Sequence, residues 1–239
     1  YPNDDMKSLS AASQADWWSG GKSESALSSI FGRIDYEYMN RYILSVNARE
    51  DGSSKFGSNH RWGFFPAVGA AWRITNEDFM SDQKIFSDLK LKASYGVTGS
   101  QATISEYAAK GLWGGGFNNI GQPGTGPNQL ANPDLKWEQT KQFNVGLEFG
   151  VLENRIEGEI DYYNKMTKGV LLNVPVPNTT GFGTIASNAG DISNKGIEFS
   201  VNADIIRKND LKWSVGFNIA HNKNLIVKLA APSFEPFSR

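Results

Sequence analysis

The sequence predicts an all-β chain, an antiparallel meander of about eight strands forming an arc of a larger transmembrane β-barrel. Three observations carry that expectation. Apolar and polar residues alternate with period two over segment after segment. The alternating segments run roughly 9–12 residues, the length a tilted strand needs to cross a bilayer. The connections are alternately short and long, as in a membrane meander with tight turns on one side and long loops on the other.

Taken in order, the first strand sets Ile30, Ile34, Tyr36 and Tyr38 against Arg33, Asp35 and Glu37. The second sets Tyr42, Leu44, Val46 and Ala48 against Arg41, Ile43, Ser45, Asn47, Arg49 and Asp51. In the third, Trp62, Phe64, Pro66, Val68, Ala70, Trp72 and Ile74 share one face. Leu89, Leu91, Ala93, Tyr95 and Val97 alternate with Lys90, Lys92, Ser94 and Gly96. Phe143, Val145, Leu147 and Phe149 alternate with Gln142, Asn144, Gly146 and Glu148. Ile156, Gly158, Ile160 and Tyr162 oppose Arg155, Glu157, Glu159, Asp161 and Tyr163. Ile197, Phe199, Val201, Ala203 and Ile205 oppose Glu198, Ser200, Asn202 and Asp204. Leu211, Trp213, Val215, Phe217 and Ile219 oppose Lys212, Ser214, Gly216 and Asn218. The register then puts Ile160, Val145, Phe199 and Val215 outward, and Glu159, Asn144, Ser200 and Ser214 inward.

Tyr38–Arg41, Gly150–Asn154 and Ile206–Leu211 read as tight turns, and Thr75–Asp88 falls on their side. On the other side lie Asp51–His60, Thr98–Glu138, Thr167–Asn194 and the Gly/Ser-rich start through Glu24. That end is expected to be extracellular. Gly114–Gly116, Pro123–Gly126 and Asn178–Gly183 read as turn-rich parts of the loops. Ser81–Leu89 has room for one helical turn, but no sustained stripe of period 3.6 exists. No linker or fixed-period repeat divides residues 1–239.

Composition excludes several classes of function. With 24 Lys+Arg against 25 Asp+Glu the formal charge is −1, so a basic nucleic-acid binder is not expected. Zero cysteines exclude a disulfide scaffold, a thiol nucleophile and Cys-ligated metal. Neither a leader at Tyr1 nor a run of 18 apolar residues is read. A membrane barrel passes these filters because alternation hides half of each strand.

A soluble β-sandwich also alternates, with its apolar face packed on a second sheet. The barrel is favoured by strands longer than the common 5–6 residues. Aromatics near strand ends suit an interfacial girdle: Tyr36, Tyr38, Tyr42, Trp72 and Trp213. Charges of both signs inside the polar face, Glu157, Glu159, Asp161, Lys90 and Lys92, suit a wet lumen. The chain ends Pro236-Phe237-Ser238-Arg239 after Pro232, unlike a closing strand, so an arc cut at both ends is expected.

Motifs for chemistry are sparse. Gly114-Gly115-Gly116 lacks the Lys-Ser/Thr of a phosphate loop. Asp4, Asp5 and Asp16 lack calcium-loop spacing. His60 and His221 have no partner evident in sequence, and no Gly-x-Ser-x-Gly elbow occurs. Glu157, Glu159 and Asp161 form a row that reads as lumen lining rather than a glycosidase pair. No catalytic residue, metal or cofactor is expected. The better candidates are Trp113, Phe117, Asn118 and Asn119 in the longest loop. Aromatic rings stack on sugar faces, and Asn offers both donors and acceptors. Phe182 joins them as a candidate contact for a partner lid.

Several stretches resemble SusC/RagA-type TonB-dependent outer-membrane transporters. They are Gly32–Tyr36, Arg41–Ile43, Arg49-Glu50-Asp51-Gly52-Ser53-Ser54-Lys55-Phe56-Gly57, Arg61–Pro66 and Leu89–Gly99. Asn132-Pro133-Asp134-Leu135-Lys136-Trp137-Glu138-Gln139-Thr140, Asp161–Lys165 and Asn194–Glu198 continue the series. The resemblance implies a 22-stranded barrel with a plugged lumen, of which residues 1–239 form part, with no plug domain visible in them. It also implies energy-coupled import of a glycan or peptide substrate. The implied partners are a SusD-like lipoprotein lid, the TonB complex and the lipid bilayer. The alternative is a scaffold barrel within a larger envelope complex.

Overall fold

The computed structural model describes residues 22–208 and 210–229. Asp4, Asp5, Asp16, most of the Gly/Ser-rich start and the terminal Pro232–Arg239 lie outside them. The described chain forms ten strands: β1 (Leu27–Tyr38), β2 (Tyr42–Ser53), β3 (Trp62–Arg73), β4 (Phe86–Ser100), β5 (Leu112–Asn119), β6 (Gln122–Gln129), β7 (Glu138–Val151), β8 (Ile156–Pro175), β9 (Thr184–Lys208) and β10 (Leu211–Leu229). Eight of them make one sheet in the order β1-β2-β3-β4-β7-β8-β9-β10, every neighbour antiparallel. These are the eight strands the alternation predicts. β5 and β6 pair only with each other.

The register confirms the expected faces. Ile160 stands opposite Leu147 and Phe199, and Val145 opposite Ala93 and Tyr162, while Val215 faces Ala203. On the other surface Glu159 pairs with Glu148 and Ser200, Asn144 with Ser94, and Ser214 with Asp204. Leu44, Val46, Val68, Leu91, Phe143, Ile160 and Ile197 are all exposed on the apolar side. A contiguous apolar surface of that extent needs a non-aqueous neighbour.

Strand tilt follows from the same register. One row of opposed residues runs Tyr38, Tyr42, Trp72, Leu91, Leu147, Ile160, Phe199, Ile219. Tyr38 is the last residue of β1, whereas Ile219 stands eight residues above the start of β10. With the tight turns at one level, eight rises of about 3.3 Å over seven spacings of about 4.8 Å give a tilt of about 38°. Barrel closure asks for such a tilt.

Three expectations are corrected. Thr167–Asn194 is mostly strand, because β8 continues to Pro175 and β9 begins at Thr184. Above the apolar belt the outward face turns polar, at Asn164 and Lys195 for example, so the period-two signal stops while the hydrogen-bonded ladder goes on. Gly114–Gly116 and Pro123–Gly126 are parts of the β5–β6 hairpin rather than turns. Ser81–Leu89 forms no helix. Short 3₁₀ turns instead occupy Ile74–Asn76 and Asp78–Met80, with another at Asn178–Thr180 inside the predicted turn-rich stretch.

The meander places the β2–β3, β4–β7 and β8–β9 connections together at one end, as expected. The buried core sits there too. Phe56, Phe65, Ala108, Ala109, Leu135, Trp137 and Leu171 form it, with Val97, Ile104 and Ala186 packed against it.

Candidate functional surfaces at the long-loop end and the inward face

The long-loop end is organised by two of the stretches that carry the family resemblance. In Asn132–Thr140, Leu135 is fully buried (0% exposed) and Trp137 is 7% exposed. The Trp137 ring lies 4.6 Å from Phe56 and edge-on to Phe65 at 5.4 Å. Its indole N–H donates to the Arg61 carbonyl at 2.9 Å, so the buried ring leaves no donor unpaired. The Gly57 N–H donates to the Leu135 carbonyl at 2.9 Å, locking Arg49–Gly57 to Asn132–Thr140. A Cβ at Gly57 would stand 1.8 Å from the Pro133 carbonyl oxygen, so only glycine permits this approach.

Amides complete the lock. Asn132 Nδ2 donates to the Ala186 carbonyl at 2.8 Å. Asn188 Nδ2 donates to the carbonyls of Lys136 and Gly169, both at 2.8 Å, and its Oδ1 accepts the Lys136 N–H at 3.0 Å. The Glu138 carboxylate accepts the Leu171 N–H at 3.2 Å. Phe65 occupies an inward register position opposite Arg49, so this core closes over the mouth from the inward side. Sequence periodicity gave no sign of Leu135 and Trp137 as core; only the Asn132–Thr140 match marked them.

Of the predicted contact residues, Trp113 is 72% and Phe117 51% exposed, both on β5. The Phe117 ring lies over Gly126, where a Cβ would meet it at 2.9 Å. Part of its role is therefore to hold the hairpin. Asn118 is exposed, and Asn118 and Asn119 pair through the backbone with Pro123 and Gln122. Ile120, at the hairpin tip, is 95% exposed. Phe182 is half-buried in the separate β8–β9 connection. The structure thus collects Trp113, Phe117, Asn118 and Asn119 on one hairpin and leaves Phe182 apart. His60, without a sequence-evident partner, has its Nε2 3.9 Å from the Asp134 carboxylate.

The inward face carries a trough of about 500 Å³ whose floor includes Ser45, Gly69, Ser94 and Gly146. Beside it the predicted charges meet. Lys90 pairs with Glu148, and Lys92 with Glu159, with Glu148 at 3.2 Å and with Asp161 at 3.4 Å. Glu157, Glu159 and Asp161 thus share a face with two lysines, which suits a wall, and Lys92 pairs with both Glu159 and Asp161. Among the described residues no group of His, Asp and Glu is arranged to hold a metal.

At the tight-turn end Glu77 gathers three donors. The Tyr42 hydroxyl lies at 2.6 Å, the Trp72 indole nitrogen at 2.8 Å and Arg41 Nη1 at 3.0 Å. These hydrogen bonds, Tyr42's first, hold the Glu77 carboxyl below its usual range. Arg41 also reaches Asp78 at 2.7 Å. The clasp fixes two girdle aromatics to the connection between β3 and β4.

A tilted eight-stranded arc with an exposed apolar outer face and a charged inner one is a piece of a transmembrane β-barrel. The chain belongs to the TonB dependent receptor-like, beta-barrel family, whose model matches residues 2–228. It is 40% identical to TonB-dependent receptor P39 of Formosa agariphila over 205 residues, 86% of this chain and 20% of the relative. It is 38% identical to TonB-dependent receptor SusC of Bacteroides thetaiotaomicron over 215 residues, 85% of this chain and 21% of that one. The RagAB peptide importer in its closed-closed state superposes with a TM-score of 0.82 at 32% identity, covering 96% of this chain and 26% of that one. The chain is therefore of the SusC/RagA type, an outer-membrane barrel, and spans about a fifth of the length of these curated relatives. The relatives are receptors and transporters, which supports a non-enzymatic role.

Proposed function

We propose that this chain is a barrel segment of an energy-coupled importer of large nutrients, glycans or peptides, working beneath a SusD-like lipoprotein. The observation that carries the reading is the locked long-loop end. Leu135, Trp137 and Phe56 make a rigid rim, and the β5–β6 hairpin projects Trp113 and Ile120 from it into solvent. A rigid rim bearing exposed apolar side chains suits a docking partner and a bound cargo better than a plain pore does. The similarity to a peptide importer supports the transport class, and the SusC relationship supports a lipoprotein lid.

In this reading the long-loop end faces outside. The inward trough and its Lys90–Lys92–Glu148 wall face a plug domain elsewhere in the intact protein, which also meets the TonB complex. Trp113, Phe117, Asn118, Asn119 and Phe182 are the residues assigned to lid or substrate contact. Deleting the intact gene and measuring nutrient accumulation tests the function. Loss of uptake of one glycan or peptide class is expected. Normal uptake of all nutrients together with envelope defects would instead establish the scaffold alternative.

A further inference from the structure

On β7, β8 and β9 the outward face gains amide and lysine side chains near one height, while Leu225 on β10 stays apolar above it. Counting up from outward residues near the tight turns, Val151 on β7, Ile206 on β9 and Trp213 on β10 (one outward position above Leu211), ten ladder steps reach Lys141, Lys195 and Lys223 (the β9 count omits the bulged Ile205). At about 3.3 Å per residue and the tilt of about 38°, ten steps rise about 26 Å. That is the height of an outer-membrane barrel's apolar band, about 25 Å. Ten residues above Trp72 on β3 stands Trp62, an exposed aromatic of the kind that marks the boundary. The three lysines therefore share the headgroup level.

Lys195 and Lys223 stand directly opposite one another on neighbouring strands. Like charges so placed destabilise a strand pair unless an anion lies between them. Among the described residues no carboxylate oxygen comes within 4.0 Å of Lys141, Lys195 or Lys223. The next cations up the same face are arranged differently. Lys168 and Lys228 are both opposite Asp191 in the register. Lys168 and Lys228 thus have a carboxylate as cross-strand neighbour, with neither within 4.0 Å of it, whereas Lys195 and Lys223 have each other. Asn164, opposite Lys195 and exposed, adds an amide donor beside the lysine pair.

We propose that Lys195 and Lys223, with Lys141 and Asn164 beside them, bind the phosphate of an anionic lipid headgroup in the leaflet on the long-loop side. The site rests on the outward face meeting lipid and does not depend on what the intact protein imports. Lysines at this level attract anionic headgroups through charge, and each contributes separately.

The intact protein, purified in mild detergent, is the material for the test. Native mass spectrometry would count bound phosphatidylglycerol against phosphatidylcholine for wild type and for Lys141→Gln/Lys195→Gln/Lys223→Gln. A charge-matched control, Lys84→Gln/Lys110→Gln/Lys136→Gln, removes three exposed loop lysines. Heat-modifiable gel migration reports folding. The triple variant is expected to retain about thirtyfold less phosphatidylglycerol, with the control and phosphatidylcholine unchanged. Equal phosphatidylglycerol retention by wild type and triple variant would overturn the proposal. Displacement of the lipid by equimolar inorganic phosphate would also overturn it, as it would show a free-phosphate site. Should the triple variant misfold, Lys195→Gln alone decides the matter, with about a threefold loss expected and no loss contradicting the site. Uptake by the intact protein is read separately, so a failed lipid site leaves the importer assignment standing.

Discussion

Leu135→Ala strikes the rim where the two resemblance stretches meet. Leu135 is fully buried, and its neighbours Phe56 and Trp137 are fixed by ring packing and by the Trp137–Arg61 hydrogen bond. Neighbours held that firmly cannot collapse into the space left, so the cost is at least about 3 kcal/mol, within the Leu→Ala range. The loss is local to the rim, where Leu135 shares its core with the upper ends of β3 and β8, Phe65 and Leu171. Hydrogen exchange on the full-length protein in detergent or nanodiscs reads it directly. The reporters are the Gly57 N–H bonded to the Leu135 carbonyl and the Asn132 N–H bonded to the Ala109 carbonyl. Three kcal/mol corresponds to an increase in their exchange rates of about 150-fold, with amides of the β4–β7 ladder unchanged. Unchanged exchange at Gly57, or equal acceleration throughout the barrel, would refute the rim as a separately stabilised unit.

The other expectations are these. Val145→Arg costs about 2–4 kcal/mol in lipid refolding titrations if it lies near the midplane, whereas Asn144→Arg is tolerated; equal losses would count against a bilayer-facing strand. Gly57→Ala forces Pro133 away and should raise loop proteolysis without unfolding the barrel, and wild-type resistance would show the close approach to be dispensable. Glu77 is held below its usual pKa by Tyr42 and Trp72, so its contribution is present above the ordinary carboxylate range and lost as pH falls through the lowered value. Glu77→Gln should therefore lessen the loss of refolding stability as pH falls below the ordinary carboxylate range, and an unchanged acid limb would deny the clasp any role. Deleting Gly114–Gly126 from the intact protein should reduce co-purification of its lipoprotein partner, and undiminished recovery with a folded barrel would remove the hairpin from the docking role.

What could be read from sequence and what could not divides at the edge of the apolar belt. Below it, lipid on one face and polar lining on the other force alternation, so Val145 and Asn144 declare their sides in the sequence. Above it the outward face turns polar, Leu171 turns into the rim core, and register shifts between Lys168 and Leu171 break the alternation, so the ladder from Thr167 to Pro175 continues unannounced. The β5–β6 hairpin escaped for another reason. Gly114, Gly115, Gly116, Pro123 and Pro127 are weak strand formers, tolerated here because both strands of a two-stranded ribbon are edges. Leu135 and Trp137 pack into a core drawn from the β2–β3 and β4–β7 connections and from β3 and β8, an arrangement no local period encodes.

The central claim is that odd positions of β7 from Phe143 to Val151 meet lipid while the even positions between them meet the lumen. Nitroxide labels placed one at a time from position 142 to 151 of the intact protein in liposomes would test it. Collision with dissolved oxygen against a water-soluble nickel chelate reports the surroundings of each label. A strict period of two is expected, with oxygen favoured at 143, 145, 147, 149 and 151 and suppressed at the positions between. Equal access of the aqueous chelate to positions 144 and 145 would contradict it.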